Sequence, residues 1–186
     1  MFLLAHELFD ALPIHQFKYL GASKWSEMCV KLESPEKSSS VDLSSPLLNQ
    51  ANSHAEDITE EDMHKRQLVF GETAPNTENV VRVLQPEKFF SDEAKRDLKE
   101  GDTIEVCPSA VDFTREIAQL VELTRGAALV VDYGEDHAFA NSFRGIQNHK
   151  IIKDWPTIFN EVGRLDLTAY VNFKQIAQVA LMNKKL

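Results

Sequence analysis

The sequence predicts an α/β chain built on a sheet with mixed edges. Three observations carry this. The order of patterns is strand, helix, apolar strand and then short antiparallel strands. The segment Ala127-Ala128-Leu129-Val130-Val131 is continuously apolar, as a strand buried on both faces of a parallel sheet is. Two apolar strands, at 2–5 and 127–131, both run into acidic residues, Glu7 and Asp10 in one case and Asp132 in the other. In open α/β sheets ligands sit beyond the carboxyl ends of strands, so the two acidic clusters are expected to face one crevice.

Residues 2–8 read as a buried strand and a turn, with Asp10 placed to cap a short helical turn that Pro13 ends. Gln16–Leu20 and Glu27–Leu32 read as strands joined by a hairpin connection at 21–24. Residues 34–66 are rich in Ser, Pro, Asn and acid and nearly without large apolar residues. Such a stretch cannot bury enough surface to offset its ordering entropy, which predicts a disordered insertion. The organisation is therefore a strand plus hairpin over 1–33, the insertion over 34–66, and the rest of the same domain over 67–186.

A strand is expected over 67–70 and a helix over 76–84. Ser91 is a good N-cap for a second helix running to about Leu98. After a turn at Gly101-Asp102 and an extended Thr103–Val106, a long helix spans 108–123. Pro108 suits its first turn, Phe113, Ile117, Leu120 and Val121 are expected on one face, and Arg125-Gly126 ends it. Further strands are expected at 143–152 and 167–173, then an amphipathic helix ending near Lys184-Lys185.

The chain has 186 residues, 43% hydrophobic and 26% charged, enough for one domain with a good core. Its formal net charge of −9 argues against nucleic acid as a partner, which would need a basic face. No apolar run reaches the roughly 18–20 residues of a membrane span. Cys29 and Cys107 share no redox or metal spacing and read as reduced core thiols. The six histidines are scattered without HxxxH or HExxH spacing, so no metal site is expected. Neither a GxSxG elbow, a P-loop nor a GxGxxG turn is present among the 7 glycines. What remains is a carboxylate pair, Glu7 and Asp10, near Asp132 and Tyr133. Clustered carboxylates without a metal suit acid/base work or the grip of a cation, best a guanidinium, whose planar fork matches a carboxylate. The same residues would also serve as plain caps, Glu7 of a loop and Asp10 of a helix.

These residues also carry a resemblance. "AHELFDALPIHQF" at 5–17 resembles the hallmark N/H-E-F-F-D-A-L-P-x-x-x-F of the MidA-type S-adenosylmethionine-dependent methyltransferases. "GAALVVDYGEDHAFANSFRGIQNHK" at 126–150 resembles that family's G-G-x-L-x-x-D-Y-G followed by T-L/F-R-G-x-x-x-H. "DLTAYVNF" at 166–173 resembles its D-L-T-A-x-V-D-F. The three blocks stand in the family's order and cover nearly the whole chain outside the polar insertion. The resemblance implies part of a class I, Rossmann-like methyltransferase fold. It also implies a mitochondrial-matrix protein arginine methyltransferase that uses S-adenosylmethionine and no metal, acting on a respiratory complex I subunit during assembly.

On that reading Glu7 and Asp10 grip the guanidinium, with His6 as polar neighbour or proton acceptor. Asp132, Tyr133 and Gly134 line the crevice, and Arg144 and His149 shape the substrate side. The sequence departs from the family in two places: Asn172 stands for its aspartate and Val162-Gly163 for its Pro-Gly. Only five residues precede His6, and the chain stops soon after the third block. The glycine-rich turn expected to hold the methyl donor is therefore missing, and the chain reads as a fragment without a presequence. The alternative reading is a non-catalytic assembly or scaffolding piece unable to bind the donor.

Overall fold

A computed structural model describes residues 1–33 and 67–182. The insertion expected at 34–66 and the end of the last helix lie outside the described residues.

Strand β1 (Phe2–His6) pairs in parallel with β6 (Ala127–Val131), with His6 opposite Val131. A four-stranded antiparallel sheet stands beside it, in the order β4 (Gln67–Glu72), β3 (Trp25–Glu33), β2 (His15–Tyr19), β5 (Thr103–Val106). The β2–β3 turn follows from Gly21, Ala22 and Ser23, all at positive φ. The strand expected at 143–152 is a hairpin, β8 (Arg144–Gln147) and β9 (Lys150–Ile152). Asn148 and His149 are both left-handed, as a two-residue type I′ turn requires. The segment at 167–173 also divides: β10 (Asp166–Thr168) pairs with β8, and β11 (Val171–Asn172) pairs in parallel with β7 (Gly134–Glu135). The α/β architecture with mixed strand directions is as expected.

The helix expected at 76–84 is a π-helical turn, Val80–Leu84, followed by α1 (Pro86–Phe89). Helix α2 (Asp92–Asp97) is capped by the Ser91 hydroxyl, which accepts from Ala94 N. Helix α3 (Pro108–Thr124) ends where left-handed Arg125 donates back to Glu122 O. Its covered stripe is Ala110, Thr114, Ile117 and Val121; Phe113 and Leu120 stay exposed on the neighbouring stripe. Helices α4 (Trp155–Asn160) and α5 (Phe173–Met182) complete the order.

One core cluster joins Ala5, Phe9, Ala110 and Val171, beneath α3 and α5. A second joins Phe17 and Trp25 of the antiparallel sheet to Val80 and Leu84 of the π-helical turn. Phe70, Phe143, Trp155 and Phe159 form a third, aromatic contact set. The expectations that β1 is a buried strand and that β6 is buried on both faces are not met. Leu3, Ala5 and Val130 pack inward, but Phe2 is 67% exposed, Leu4 58% and Leu129 49%. The cause is geometric: among the described residues the helices cover one face of this strand pair only.

Candidate active site at the ends of β1 and β6

The continuous apolar runs make β1 and β6 pair, and the parallel register brings their carboxyl ends together. Glu7 then takes φ 48, a conformation uncommon for a residue with a side chain, and its N–H bonds Val131 O at 2.8 Å. This turn throws the chain sideways, so that Phe9 plugs into the core and Asp10 returns toward β6.

Asp132 holds the turn from below. Its Oδ2 accepts from Phe9 N at 2.8 Å and Asp10 N at 3.3 Å, and its Oδ1 accepts from Tyr133 N at 2.8 Å. Both oxygens are thus committed to backbone. Gly134 must be glycine: a Cβ there would stand 2.0 Å from Val171 O, because β7 and β11 cross at backbone distance. Tyr133 is exposed, and its carbonyl accepts from Val171 N.

Asp10 does not cap a helix. Its Oδ2 accepts from the Thr168 hydroxyl at 2.7 Å, and its carbonyl accepts from Ala169 N. Burial pushes its carboxyl above the ordinary carboxylate range. The Thr168 bond opposes that, and the charges of Asp132, Glu7 and Asp166 add to it. Four acids therefore bear on one place, with Asp10 and Asp132 half-buried and Glu7 and Asp166 exposed. His6 is exposed, with Nε2 3.9 Å from Glu7 Oε1. Arg144 lies buried behind Thr168, its direct partner across the β8–β10 ladder. His149 stands exposed in the hairpin turn, where its left-handed backbone is the feature the fold uses.

Thr168 and Asp166 were missed as site residues by sequence reasoning. Their one signal was position inside the D-L-T block. Glu105 was missed as well: its carboxylate accepts from Ser142 N, Ser142 Oγ, Phe143 N and Gln16 Nε2, and so ties β5 and β2 to the loop before β8. Asn172 accepts from Gln175 N and caps α5, a task that Asn and Asp perform equally, so this departure leaves the helix start intact.

A family model covers the chain from residue 1 to 186; its description is "Putative S-adenosyl-L-methionine-dependent methyltransferase". The chain belongs to this methyltransferase family. Among its relatives, the human "Protein arginine methyltransferase NDUFAF7, mitochondrial" is 30% identical over 179 residues, covering 96% of this chain and 30% of that protein. The Xenopus laevis protein of the same name is 29% identical over 172 residues, covering 92% of this chain and 29% of its own length. The chain thus spans about a third of the length of the curated relatives it matches. The crystal structure of an uncharacterized COG1565-superfamily protein from Burkholderia thailandensis is similar in fold. It has a TM-score of 0.56 and 19% identity, over 97% of this chain and 38% of that one.

The methyl donor of this family presents a cationic centre, a ribose and an amino-acid end. The described residues offer acid for a cation at Glu7 and Asp10. They do not offer the glycine-lined approach that the ribose and amino-acid end need. Gly126 and Gly134 do make close approaches, but to Met1 O and Val171 O of the chain itself.

Proposed function

We propose that this chain carries the substrate-binding edge of a protein arginine N-methyltransferase that uses S-adenosylmethionine. In this reading it belongs to a class I, Rossmann-like sheet and works in mitochondria on a complex I subunit during assembly. The observation that carries the reading is Asp10: a half-buried carboxylate, held by Thr168, with only negative charges bearing on it among the described residues. Such a group is best satisfied by a cation. A guanidinium suits it, since Glu7 and Asp10 can each take two parallel N–H bonds. The names of the relatives and the three sequence blocks support the same substrate.

The donor supplies a methyl group on a positively charged sulfur. The residues of this chain orient and discharge the acceptor. Glu7 and Asp10 hold the guanidinium plane, so that one nitrogen lone pair can be aimed at the methyl carbon. As the N–C bond forms, the donor's S–C bond would break to leave a neutral thioether, and the nitrogen must lose a proton. Asp10, more basic than an ordinary carboxylate, is placed to take it, with the exposed His6 beside Glu7 as a path outward. Asp132 keeps the turn in place through its backbone bonds, and Tyr133 and Gly134 form the wall of the crevice. A glycine-lined seat for the donor is assigned to none of the residues described.

The test is transfer of labelled methyl from S-adenosylmethionine to an arginine-containing complex I subunit, in the longest native form of the protein. Glu7→Ala and Asp10→Asn should each abolish transfer while the far-ultraviolet circular dichroism is unchanged. Full transfer by Glu7→Ala would remove the assignment. Calorimetry with S-adenosylmethionine separates this reading from a scaffold, which would show no binding.

A further inference from the structure

Three of the exposed arginines, Arg82, Arg115 and Arg164, each face an acid: Glu78, Asp112 and Glu161. The buried one does not. Arg144 is 5% exposed, and among the described residues no carboxylate meets it. Its Nη1 donates to Ser142 O at 3.2 Å, and its guanidinium carbon lies 4.0 Å from the centre of the Tyr170 ring. Its Nε is buried with no hydrogen-bond partner. Nε and Nη2 form the side of a guanidinium that meets a carboxylate with two parallel bonds. One corner of Arg144 is therefore anchored and one face stacked, while Nε, on its carboxylate-binding side, has no hydrogen-bond partner. A buried cation kept without an acid is costly unless something supplies the charge.

The setting holds this geometry. Ser142 is itself buried, and its hydroxyl donates to Glu105 and accepts from Tyr170 N. The carbonyl that anchors Arg144 and the ring that stacks on it are thus fixed by one hydrogen-bond network. Thr168, directly across the ladder from Arg144, is the residue whose hydroxyl holds Asp10. Arg144 is therefore one strand across from the residue that holds Asp10, although its charge is not among those that bear on Asp10.

We infer that Arg144 is the seat of a carboxylate brought by a ligand, one strand across from the residue that holds Asp10. Two sources share this chemistry: the amino-acid end of a small molecule such as the methyl donor or its product, and an acidic side chain close to the arginine of a bound polypeptide. The inference concerns Arg144 alone and stands or falls apart from the role proposed for Asp10.

The Nε–H resonance of Arg144 reads the seat directly in isotope-labelled wild-type protein, assigned by through-bond experiments. Propionate should move it with saturation, and propionamide, which lacks the charge, should leave it in place. No movement with propionate, or equal movement with both, overturns the inference. The sources are then separated with matched pairs. S-adenosylhomocysteine against methylthioadenosine tests the small molecule, and an amidated Arg-Gly-Glu peptide against Arg-Gly-Gln tests the polypeptide. The true source should act at a concentration at least about tenfold below propionate, with its carboxylate-free partner silent. If neither pair improves on propionate, the inference also fails. Arg144→Lys keeps the charge but not the fork, and should weaken the effective probe by roughly ten- to a hundredfold. The titration of the wild-type protein decides the matter even if that variant does not fold.

Discussion

Asp132 is a carboxylate that the fold, rather than the chemistry, requires. Its two oxygens accept three backbone N–H groups, from Phe9 and Asp10 on one side and from Tyr133 on the other. Asn is nearly the same shape, yet it offers only one acceptor oxygen. Its amide group would point an N–H at an N–H on whichever side it faced. Hydrogen bonds to a charged group contribute about 1.5–3 kcal/mol each, and an orphaned buried amide costs a similar amount. The 3.3 Å bond from Asp10 N is the weakest of the three, and the site is half-buried, so both figures belong at their lower ends. Asp132→Asn should then cost about 2 kcal/mol and Asp132→Ala about 3 kcal/mol. With a urea slope of about 2 kcal/mol per molar, the unfolding midpoint should fall by about 1 M and 1.5 M. Urea titration followed by circular dichroism measures both. If Asp132→Asn moved the midpoint by less than about 0.25 M, the two-sided acceptance argued here would be wrong.

Asp10 makes a prediction with a definite sign. Burial, and then the neighbouring acids, raise its carboxyl in the folded chain. The folded state thus keeps a proton that the unfolded state has released, and stability falls as pH rises from the ordinary carboxylate range through the raised value. Asp10→Asn should remove that fall and be the more stable protein at pH 7, as urea midpoints across pH 4–8 would show; a wild type unaffected by pH there contradicts it. Gly134→Ala drives a Cβ to 2.0 Å from Val171 O and should open the β7–β11 pair, lowering stability by about 3 kcal/mol and Tm by about 10 °C in a thermal melt. Asn172→Asp should keep the α5 cap and change stability by less than about 0.5 kcal/mol, whereas Asn172→Ala should cost about 1 kcal/mol.

Much of the local structure was legible because its causes are local. Pro108 and Arg125-Gly126 bracket α3, and the Ser91 hydroxyl caps α2. Apolar runs of four and five residues marked β1 and β6, and the acids beyond them marked the candidate site. The covered stripe of α3 was misjudged because Phe113 and Leu120 are apolar yet face no partner. Periodicity shows which residues share a face, and only packing shows which face is used. The breaks at 148–149 and 169–170 were missed for a related reason, since they depend on which strand each piece pairs with.

The site divides in the same way. By itself the sequence determined that Glu7, Asp10 and Asp132 lie at strand ends, and that the chain belongs with methyltransferases. Those are properties of short stretches, read from residue type and order. Only the tertiary structure decided that Asp132 spends both oxygens on backbone, that Thr168 crosses 158 positions to reach Asp10, and that Arg144 is buried with no acid beside it among the described residues. Each of those facts depends on how distant strands are laid against one another. A carboxylate's role is set by the donors that surround it, and pairing across the fold supplies them.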